Sequence, residues 1–211
     1  MRCKYIASYE SRVRTLYRVL SKIYGLMDLI VFPNKKANPR KGLANQIPDE
    51  QVRVLDVCCG TGNSTIAIGK KNINNTVIGI DLSRDMLKVA RNKAIKNKIT
   101  NTSFIEMNAT KLDFPSCSFD FVTISLAFHE MPQELIDLIL VEIGRVLKPK
   151  GKLYIIEWDW PKHPIAYVLF SIFPSLFEPK EFKQFLKIDW KQLLGEFGFK
   201  YLGMEHYTFT K

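Results

Sequence analysis

From residue 51 onwards, short apolar runs alternate with segments in which apolar residues recur every three or four positions. The apolar runs predict five strands, at residues 52–57, 76–81, 102–107, 119–125 and 152–158. The helical spacing predicts helices between them, at residues 63–71, 84–97 and 132–147. Strands joined by helices form a parallel sheet covered on both faces, so the chain is predicted to be a doubly wound α/β protein.

The two ends of the chain depart from this central pattern. Residues 12–27 carry an apolar stripe at helical spacing, and residues 33–48 read as a loop with at most one short helix. Near the other end, a helix at about residues 190–197 precedes two short apolar segments. These segments predict an antiparallel hairpin at the sheet edge. We therefore expect a seven-stranded, mostly parallel sheet with an antiparallel C-terminal hairpin strand.

The ends also set the expected domain organisation and the charge. Residues 1–48 would form an N-terminal helical lid on a main domain at residues 49–211, which carries a hydrophobic insertion at residues 161–190, all within one structural domain. The net charge is +10, and residues 1–41 hold ten Lys and Arg against two acidic residues. A basic surface attracts nucleic acid, anionic lipid or anionic substrates, and simple solubility is the alternative explanation.

Composition excludes several classes of protein. Apolar residues make up 46% of the 211 residues and charged residues 25%, which is typical of a globular chain and not of a disordered one. No apolar stretch approaches the roughly 20 residues of a membrane span, and no signal peptide is visible. The four cysteines form no Cys-x-x-Cys pair, so we expect neither a metal site nor a disulfide framework. These features predict a cytoplasmic protein.

A glycine pair lies where the first predicted strand meets the first helix. Gly60 and Gly62 lack a Cβ, so the backbone can approach a ligand closely there. Asp81 ends the second predicted strand about 20 residues later, where a carboxylate can accept hydrogen bonds from ribose hydroxyls. The third glycine of the dinucleotide fingerprint is absent, since position 65 is Thr. With Asp56 also close, the site favours a ligand with a cationic centre over a diphosphate.

Four segments carry a resemblance to a known family. They are DVCCGTG at residues 56–62, IDLSRDML at 80–87, NATKLDFPSCSFDFVTISLAFHEM at 108–131 and LKPKGKLYIIE at 147–157. Through them the sequence resembles the class I S-adenosylmethionine-dependent methyltransferases. Within that superfamily it is most similar to the ubiquinone/menaquinone C-methyltransferases and the related phospholipid N-methyltransferases. The segment IYGLMD at residues 23–28 resembles their N-terminal segment, in which a Tyr closes over the cofactor.

The resemblance implies S-adenosyl-L-methionine as cofactor, S-adenosyl-L-homocysteine as product and a Rossmann-like sheet. It places these residues at the cofactor: Tyr24, Asp56, Cys58, Gly60, Thr61, Gly62, Asp81, Leu82, Met86, Asn108, Ala109 and Ser125. Asp81 would bind the ribose, and Leu82 and Met86 would flank the adenine. The family usually has an acid at position 108, but the Asn108 side-chain oxygen can still accept a hydrogen bond from the adenine amine.

Candidates for a base follow the fourth and fifth predicted strands: His129 and Glu130 follow the fourth, and Glu157 and Asp159 follow the fifth. Of these, His129, Glu157 and Asp159 are predicted to be catalytic. Methyl transfer depends mainly on alignment, and a base helps when the acceptor begins as an OH, an NH or an acidic CH. Histidine titrates near neutral pH and could take that proton. Each candidate also has a structural explanation, either as a helix-start residue bonded to backbone or as a carboxylate in a surface loop.

The methyl acceptor is predicted from the aromatic-rich insertion at residues 161–190, which favours a hydrophobic or amphiphilic small molecule. A quinol precursor and a phospholipid-type amine both fit. The insertion could also contact an anionic membrane surface together with the basic N-terminal helix, or pack against a second subunit in a homodimer.

Two other functions stay open. An RNA methyltransferase would explain the charge, but the sequence has no added RNA-binding module, so we expect no specific nucleic-acid partner. A non-catalytic S-adenosylmethionine-binding protein would share the fold.

Overall fold

The computed structural model describes residues 15–18, 21, 38–159, 182, 185–206 and 210. Its strands are β1 (Arg53–Val57), β2 (Thr76–Asp81), β3 (Thr102–Glu106), β4 (Phe119–Ser125) and β5 (Leu147–Ile156). Its helices are α1 (Pro39–Gln46), α2 (Asn63–Lys71), α3 (Arg84–Lys96), α4 (Gln133–Val146) and α5 (Trp190–Glu196), with a 3-10 turn at Phe128–Glu130. The five predicted central strands and the helices between them are confirmed, although β5 begins at Leu147 rather than at residue 152.

β1 lies at the centre of a parallel sheet with the strand order β3-β2-β1-β4-β5. Val54 of β1 pairs with Val77 of β2 on one side and with Phe121 of β4 on the other. The chain thus moves outward through β2 and β3 and returns to the opposite side of β1. In such sheets ligands bind at the carboxyl ends of the strands where the order reverses, so the ends of β1 and β4 frame the site.

The prediction of a seven-stranded sheet with an antiparallel hairpin is wrong. Within the part of the chain that the structure describes, the sheet has five strands and every pairing is parallel. An isolated antiparallel bridge joins Trp158 to Thr210, but residues 201–206 contain no strand. The prediction relied on apolar residues in this segment, yet Leu202 is 72% and Met204 is 41% exposed. Because these side chains bury little surface, they supply little free energy for strand pairing.

Helices cover both faces of the sheet. Val54 packs in a cluster with Leu43 of α1 and Ile68 of α2. The next residue, Leu55, packs in a different cluster, with Ile139 of α4. Because successive strand residues point to opposite faces, this division confirms the doubly wound arrangement that the sequence predicts.

A local cap fixes where α3 begins, directly after β2. Ser83 is the N-cap of α3, and its side chain accepts a hydrogen bond from the Met86 N–H at 3.3 Å. Asp81 is the last residue of β2, so its carboxylate stands between the sheet edge and the first turn of α3.

Part of the sequence prediction falls outside these elements. Tyr24, most of the expected N-terminal lid and most of the insertion at residues 161–190 lie outside the described residues. Among the helices that the structure does describe, none has the length and apolar character of a membrane-crossing helix.

Candidate functional site

A cavity opens at the carboxyl ends of β1, β2 and β4. It is lined by Tyr17, Arg40, Asp56, Cys58, Cys59, Gly60, Thr61, Asn63, Ser64, Asp81, Leu82, Met86, Ser125, Leu126, Ala127, Glu130 and Met131. Eight of the predicted cofactor residues are among them: Asp56, Cys58, Gly60, Thr61, Asp81, Leu82, Met86 and Ser125. The predicted residues that are described but do not line the cavity are Gly62, Asn108, Ala109, His129, Glu157 and Asp159.

The Asp81 carboxylate ties the glycine loop to the end of β2. The Gly60 N–H donates to Oδ2 at 2.8 Å, and the Ser83 N–H donates to Oδ1 at 2.8 Å. Burial raises the pKa of Asp81, and these backbone hydrogen bonds oppose part of the rise. Each carboxylate oxygen can accept a further hydrogen bond, so the group can still receive ribose hydroxyls.

The two loop glycines have different surroundings. Both have a left-handed backbone, with φ of +51° at Gly60 and +75° at Gly62. A Cβ added at Gly60 would meet nothing within 4 Å, whereas one at Gly62 would lie 2.8 Å from the Ala90 Cβ and 2.8 Å from the Phe104 ring. Gly60 therefore leaves open space at the cavity wall, and Gly62 permits close packing of the loop on α3 and β3.

A buried polar network joins β1, β4 and α2 beneath the loop. The fully buried Asp56 carboxylate accepts hydrogen bonds from the Thr65 hydroxyl at 2.6 Å and the Thr123 hydroxyl at 2.8 Å. Burial raises the pKa of Asp56 to about 6, although these hydrogen bonds lower it in part. The Ser64 and Ser125 hydroxyl oxygens are 3.0 Å apart in the same region.

Two residues with a left-handed backbone follow adjacent central strands. Cys58, after β1, has a φ of 54°, and Leu126, after β4, also has a φ of 54°. Such conformations cost free energy for residues other than glycine and cluster at binding sites.

Burial raises the pKa of the Cys58 and Cys59 thiols well above the usual value, and Asp81 adds to the rise. Both cysteines are therefore neutral thiols, with little nucleophilic character.

The Glu157 carboxylate, 1% exposed, holds the turn that follows β4. Its Oε1 accepts the Ala127 N–H at 2.8 Å and the Phe128 N–H at 2.6 Å. Its Oε2 lies 2.9 Å from the Nδ1 of His129. One buried acid at the end of β5 thereby fixes the backbone of the 3-10 turn.

His129 is engaged at both ring nitrogens. The Trp158 indole N–H donates to His129 Nε2 at 3.2 Å, and an indole nitrogen can only donate. Nε2 is thus the acceptor, and Nδ1 carries the proton that is donated to Glu157. This arrangement corresponds to a neutral imidazole that connects the turn to the end of β5.

The remaining predicted residues make contacts of their own. The Asp159 carboxylate lies 2.8 Å from His206 Nδ1. The Asn108 side-chain oxygen accepts from the Thr110 N–H and hydroxyl, each at 2.9 Å, which is a local turn contact. Among the described residues, no group of three His, Cys, Asp or Glu side chains is placed to hold a metal ion.

Nine of the described wall residues were not assigned to the cofactor from the sequence, and three of them matter for the chemistry of the site: Tyr17, Arg40 and Glu130. Tyr17 donates its hydroxyl to Glu130, and Arg40 is 6% exposed on α1. Tyr17 belonged to the apolar stripe of a predicted helix, and Arg40 lay in a predicted loop, so nothing in the local pattern distinguished them. Glu130 follows His129, and its type and position after β4 were the one available signal.

The chemistry of the wall fits S-adenosyl-L-methionine. Among the described residues, the wall carries three carboxylates, from Asp56, Asp81 and Glu130, and one guanidinium, from Arg40. The cofactor carries two cationic groups, its sulfonium and its ammonium, and one carboxylate. A diphosphate would instead meet several carboxylates. The open space at Gly60 also leaves room for the ligand against the loop backbone.

Comparison with known proteins agrees with this chemistry. The model of the ubiE/COQ5 methyltransferase family matches residues 6–192. A demethylmenaquinone methyltransferase of Shouchella clausii (strain KSM-K16) is 32% identical over 182 residues, which cover 85% of this chain and 77% of that protein. A protein of the same name from Staphylococcus aureus (strain MRSA252) is 31% identical over 180 residues, covering 84% and 73%.

The fold is shared with solved methyltransferase structures. A SAM-dependent methyltransferase from Aquifex aeolicus superposes with a TM-score of 0.56 and 25% identity, covering 68% of this chain and 75% of that one. The family model spans most of the chain, and the two relatives align with more than four fifths of it. The chain thus belongs to the ubiE/COQ5 methyltransferase family and is an S-adenosyl-L-methionine-dependent methyltransferase.

Proposed function

We propose that this methyltransferase acts on the reduced form of a demethylmenaquinone-type quinone. The observation that carries the proposal is the match to proteins named demethylmenaquinone methyltransferase, at 32% identity over 85% of the chain. The cavity supports it, because its wall after β4 combines the apolar residues Leu126, Ala127 and Met131 with the single carboxylate of Glu130. An apolar ring that bears hydroxyl groups suits such a wall.

The cofactor contacts are part of the proposal. Asp81 would accept hydrogen bonds from the ribose, Leu82 and Met86 would flank the adenine, and Gly60 and Ser125 would lie beside the methionine part. When bound, S-adenosyl-L-methionine supplies an electrophilic methyl group and leaves as S-adenosyl-L-homocysteine. The protein adds alignment and, for a quinol acceptor, the removal of a proton.

Glu130 is the carboxylate that we assign to this proton transfer. It lines the cavity after β4, and the Tyr17 hydroxyl donates to its Oε2, which orients the carboxylate. A quinol hydroxyl that gives its proton to Glu130 gains phenolate character, and the adjacent ring carbon becomes a better nucleophile. Once methylated, that carbon would lose its hydrogen as a proton and the oxygen would regain one, so that the aromatic quinol is restored and one proton is released overall. In this proposal His129 and Glu157 are positioning residues, because they fix the turn that carries Glu130. Asp159, which contacts His206, has no assigned step.

The test offers several acceptors to the purified protein together with S-adenosyl-L-methionine. These are a demethylmenaquinol, the same compound kept oxidised, and phosphatidylethanolamine. We expect the mass of one added methyl group on the ring of the quinol alone. Methylation of the phospholipid amine without the quinol would refute the proposal, as would equal methylation of both oxidation states. Calorimetric binding of S-adenosyl-L-homocysteine shows that the protein under test is competent.

A matched pair of variants tests the role of Glu130. Glu130→Gln keeps the size of the side chain but cannot take a proton, so kcat measured at saturating cofactor should fall by about 10²–10⁴-fold. Glu134→Gln makes the same change at an exposed position of α4 and should leave kcat unaltered. Equal rates in the two variants would remove Glu130 from the proton transfer.

A further inference from the structure

The guanidinium of Arg40 is a buried cation in the wall of the cofactor cavity. The residue is 6% exposed, and among the described residues that line the cavity it is the one with a positive charge. It lies in the first turn of α1, where the Asn38 side chain accepts a hydrogen bond from the Arg40 N–H at 3.0 Å. The same helix is anchored by Leu43, which packs with Ile68 of α2. Arg40 is therefore held by a fixed helix at the side of the cavity next to α2.

Burying a charge at such a position costs free energy unless a group of opposite charge lies close to it. Arg40 lies close enough to Asp56 to lower the pKa of that acid, although burial raises it by more. The Asp56 oxygens already accept from the hydroxyls of Thr65 and Thr123. A guanidinium has five N–H donors in a planar fork, so it can bind an additional anion while it keeps other contacts.

We propose that Arg40 binds the carboxylate of the methionine part of S-adenosyl-L-methionine. That carboxylate is the cofactor's only anionic group, and it enters a wall with three carboxylates, which repel it. Arg40 is the group in the described wall that can attract it, and the fork geometry matches a carboxylate in two parallel hydrogen bonds. The assignment concerns the cofactor alone and does not depend on which molecule accepts the methyl group.

The test measures binding of two probes by calorimetry at fixed pH and ionic strength. S-adenosyl-L-homocysteine carries the aminocarboxylate, and 5′-methylthioadenosine has the same adenosine and thioether without it. In Arg40→Gln the Kd for S-adenosyl-L-homocysteine should rise about ten- to hundredfold, as for a lost hydrogen bond to a charged group. The Kd for 5′-methylthioadenosine should change by less than about twofold, because the lost interaction is absent from that complex.

Two further variants complete the experiment. Lys41→Gln removes the neighbouring exposed cation of α1 and should leave both affinities unchanged. Arg40→Lys keeps the charge without the fork and should give a smaller loss, again for S-adenosyl-L-homocysteine alone. Equal loss for both probes would show that Arg40 only supports the loop, and no loss would place it outside the site. Either result overturns the proposal, and if Arg40→Gln does not fold, the same criteria apply to Arg40→Lys.

Discussion

The loop after β1 and the turn after β4 face the same cavity but are built in different ways. The loop depends on backbone conformation: two glycines with positive φ, and a carboxylate of β2 that accepts backbone N–H groups. The turn depends on buried side chains, since Glu157 reaches it from the end of β5 and His129 and Trp158 complete the network. We therefore expect the loop to be disturbed by larger side chains in place of its glycines. The turn should be disturbed by the loss of a side chain that hydrogen-bonds to it.

The largest expected effect is on the turn. Glu157→Ala removes the acceptor of three backbone N–H groups, those of Ala127, Phe128 and Trp158, and of the His129 ring N–H. The Ala127, Phe128 and His129 donors are then left buried without this partner. The free energy of unfolding should fall by at least about 3 kcal/mol, because each buried donor that loses its partner costs about 1–3 kcal/mol. Urea denaturation measures it. Glu50→Ala removes an exposed acid and should change stability by less than about 0.5 kcal/mol. A loss below about 1 kcal/mol at Glu157 would contradict the network.

The next effect concerns the buried network beneath the loop and depends on pH. Burial raises the pKa of Asp56 from 3.8 to about 6, so the folded protein binds a proton more tightly than the unfolded chain. The stability that protonated Asp56 contributes to the folded protein is fully present below pH 3.8, and it is lost as the pH rises through 6. Its size is about 3 kcal/mol, at 1.36 kcal/mol per unit.

Comparison with Asp56→Asn isolates the pH-dependent contribution of Asp56 to the free energy of unfolding, because the amide has nearly the same shape and does not titrate. The unfolding free energy of wild type minus that of Asp56→Asn should decrease by about 2 kcal/mol between pH 4 and pH 7, because part of the change already occurs below pH 4. Taking the difference between the two proteins cancels the other carboxylates. A difference that stays flat with pH would mean that Asp56 is not desolvated.

Alanine substitutions at the two glycines of the loop should have different effects on stability and on cofactor binding. Gly62→Ala places a Cβ 2.8 Å from Ala90 and Phe104, so overpacking and backbone strain together should cost about 2–3 kcal/mol of stability. Gly60→Ala has similar backbone strain but open space, and should cost about 1 kcal/mol. Thermal unfolding gives both values. In calorimetry only Gly60→Ala should weaken S-adenosyl-L-homocysteine binding, and the reverse pattern would show that the loop is misplaced.

The same contrast explains what the sequence could predict. The loop is encoded locally, since a strand, two glycines and a later Asp81 already specify a turn and a facing carboxylate. The three inner strands β1, β2 and β4 were predictable for a related reason, because strands buried on both faces leave continuous apolar runs. The C-terminal segment was not predictable in this way. Leu202 and Met204 are residue types found in strands, but their side chains are exposed.

The turn after β4 was predictable only in part. Its residue types were visible, and His129 and Glu157 were chosen as catalytic candidates because those types transfer protons. Their pairing depends on β5 lying beside β4, which brings together residues about 30 positions apart in the chain. Arg40 and Tyr17 reach the cavity from segments with no strand or motif to mark them, so only the packed structure could identify them.

The smallest expected effect tests the outer part of the turn network. Trp158→Phe removes the indole N–H that donates to His129 Nε2 at 3.2 Å but keeps an aromatic ring beside the imidazole. Stability should fall by about 1 kcal/mol, the usual net value of one hydrogen bond. Tyr154→Phe, which removes an exposed 3.4 Å contact to the Gln46 carbonyl, should cost less and serves as the control. The imidazole ¹⁵N resonances of wild type should show a protonated Nδ1 and an unprotonated Nε2, because Glu157 can only accept and the indole can only donate. A proton found on Nε2 instead would contradict the geometry that makes His129 a positioning residue.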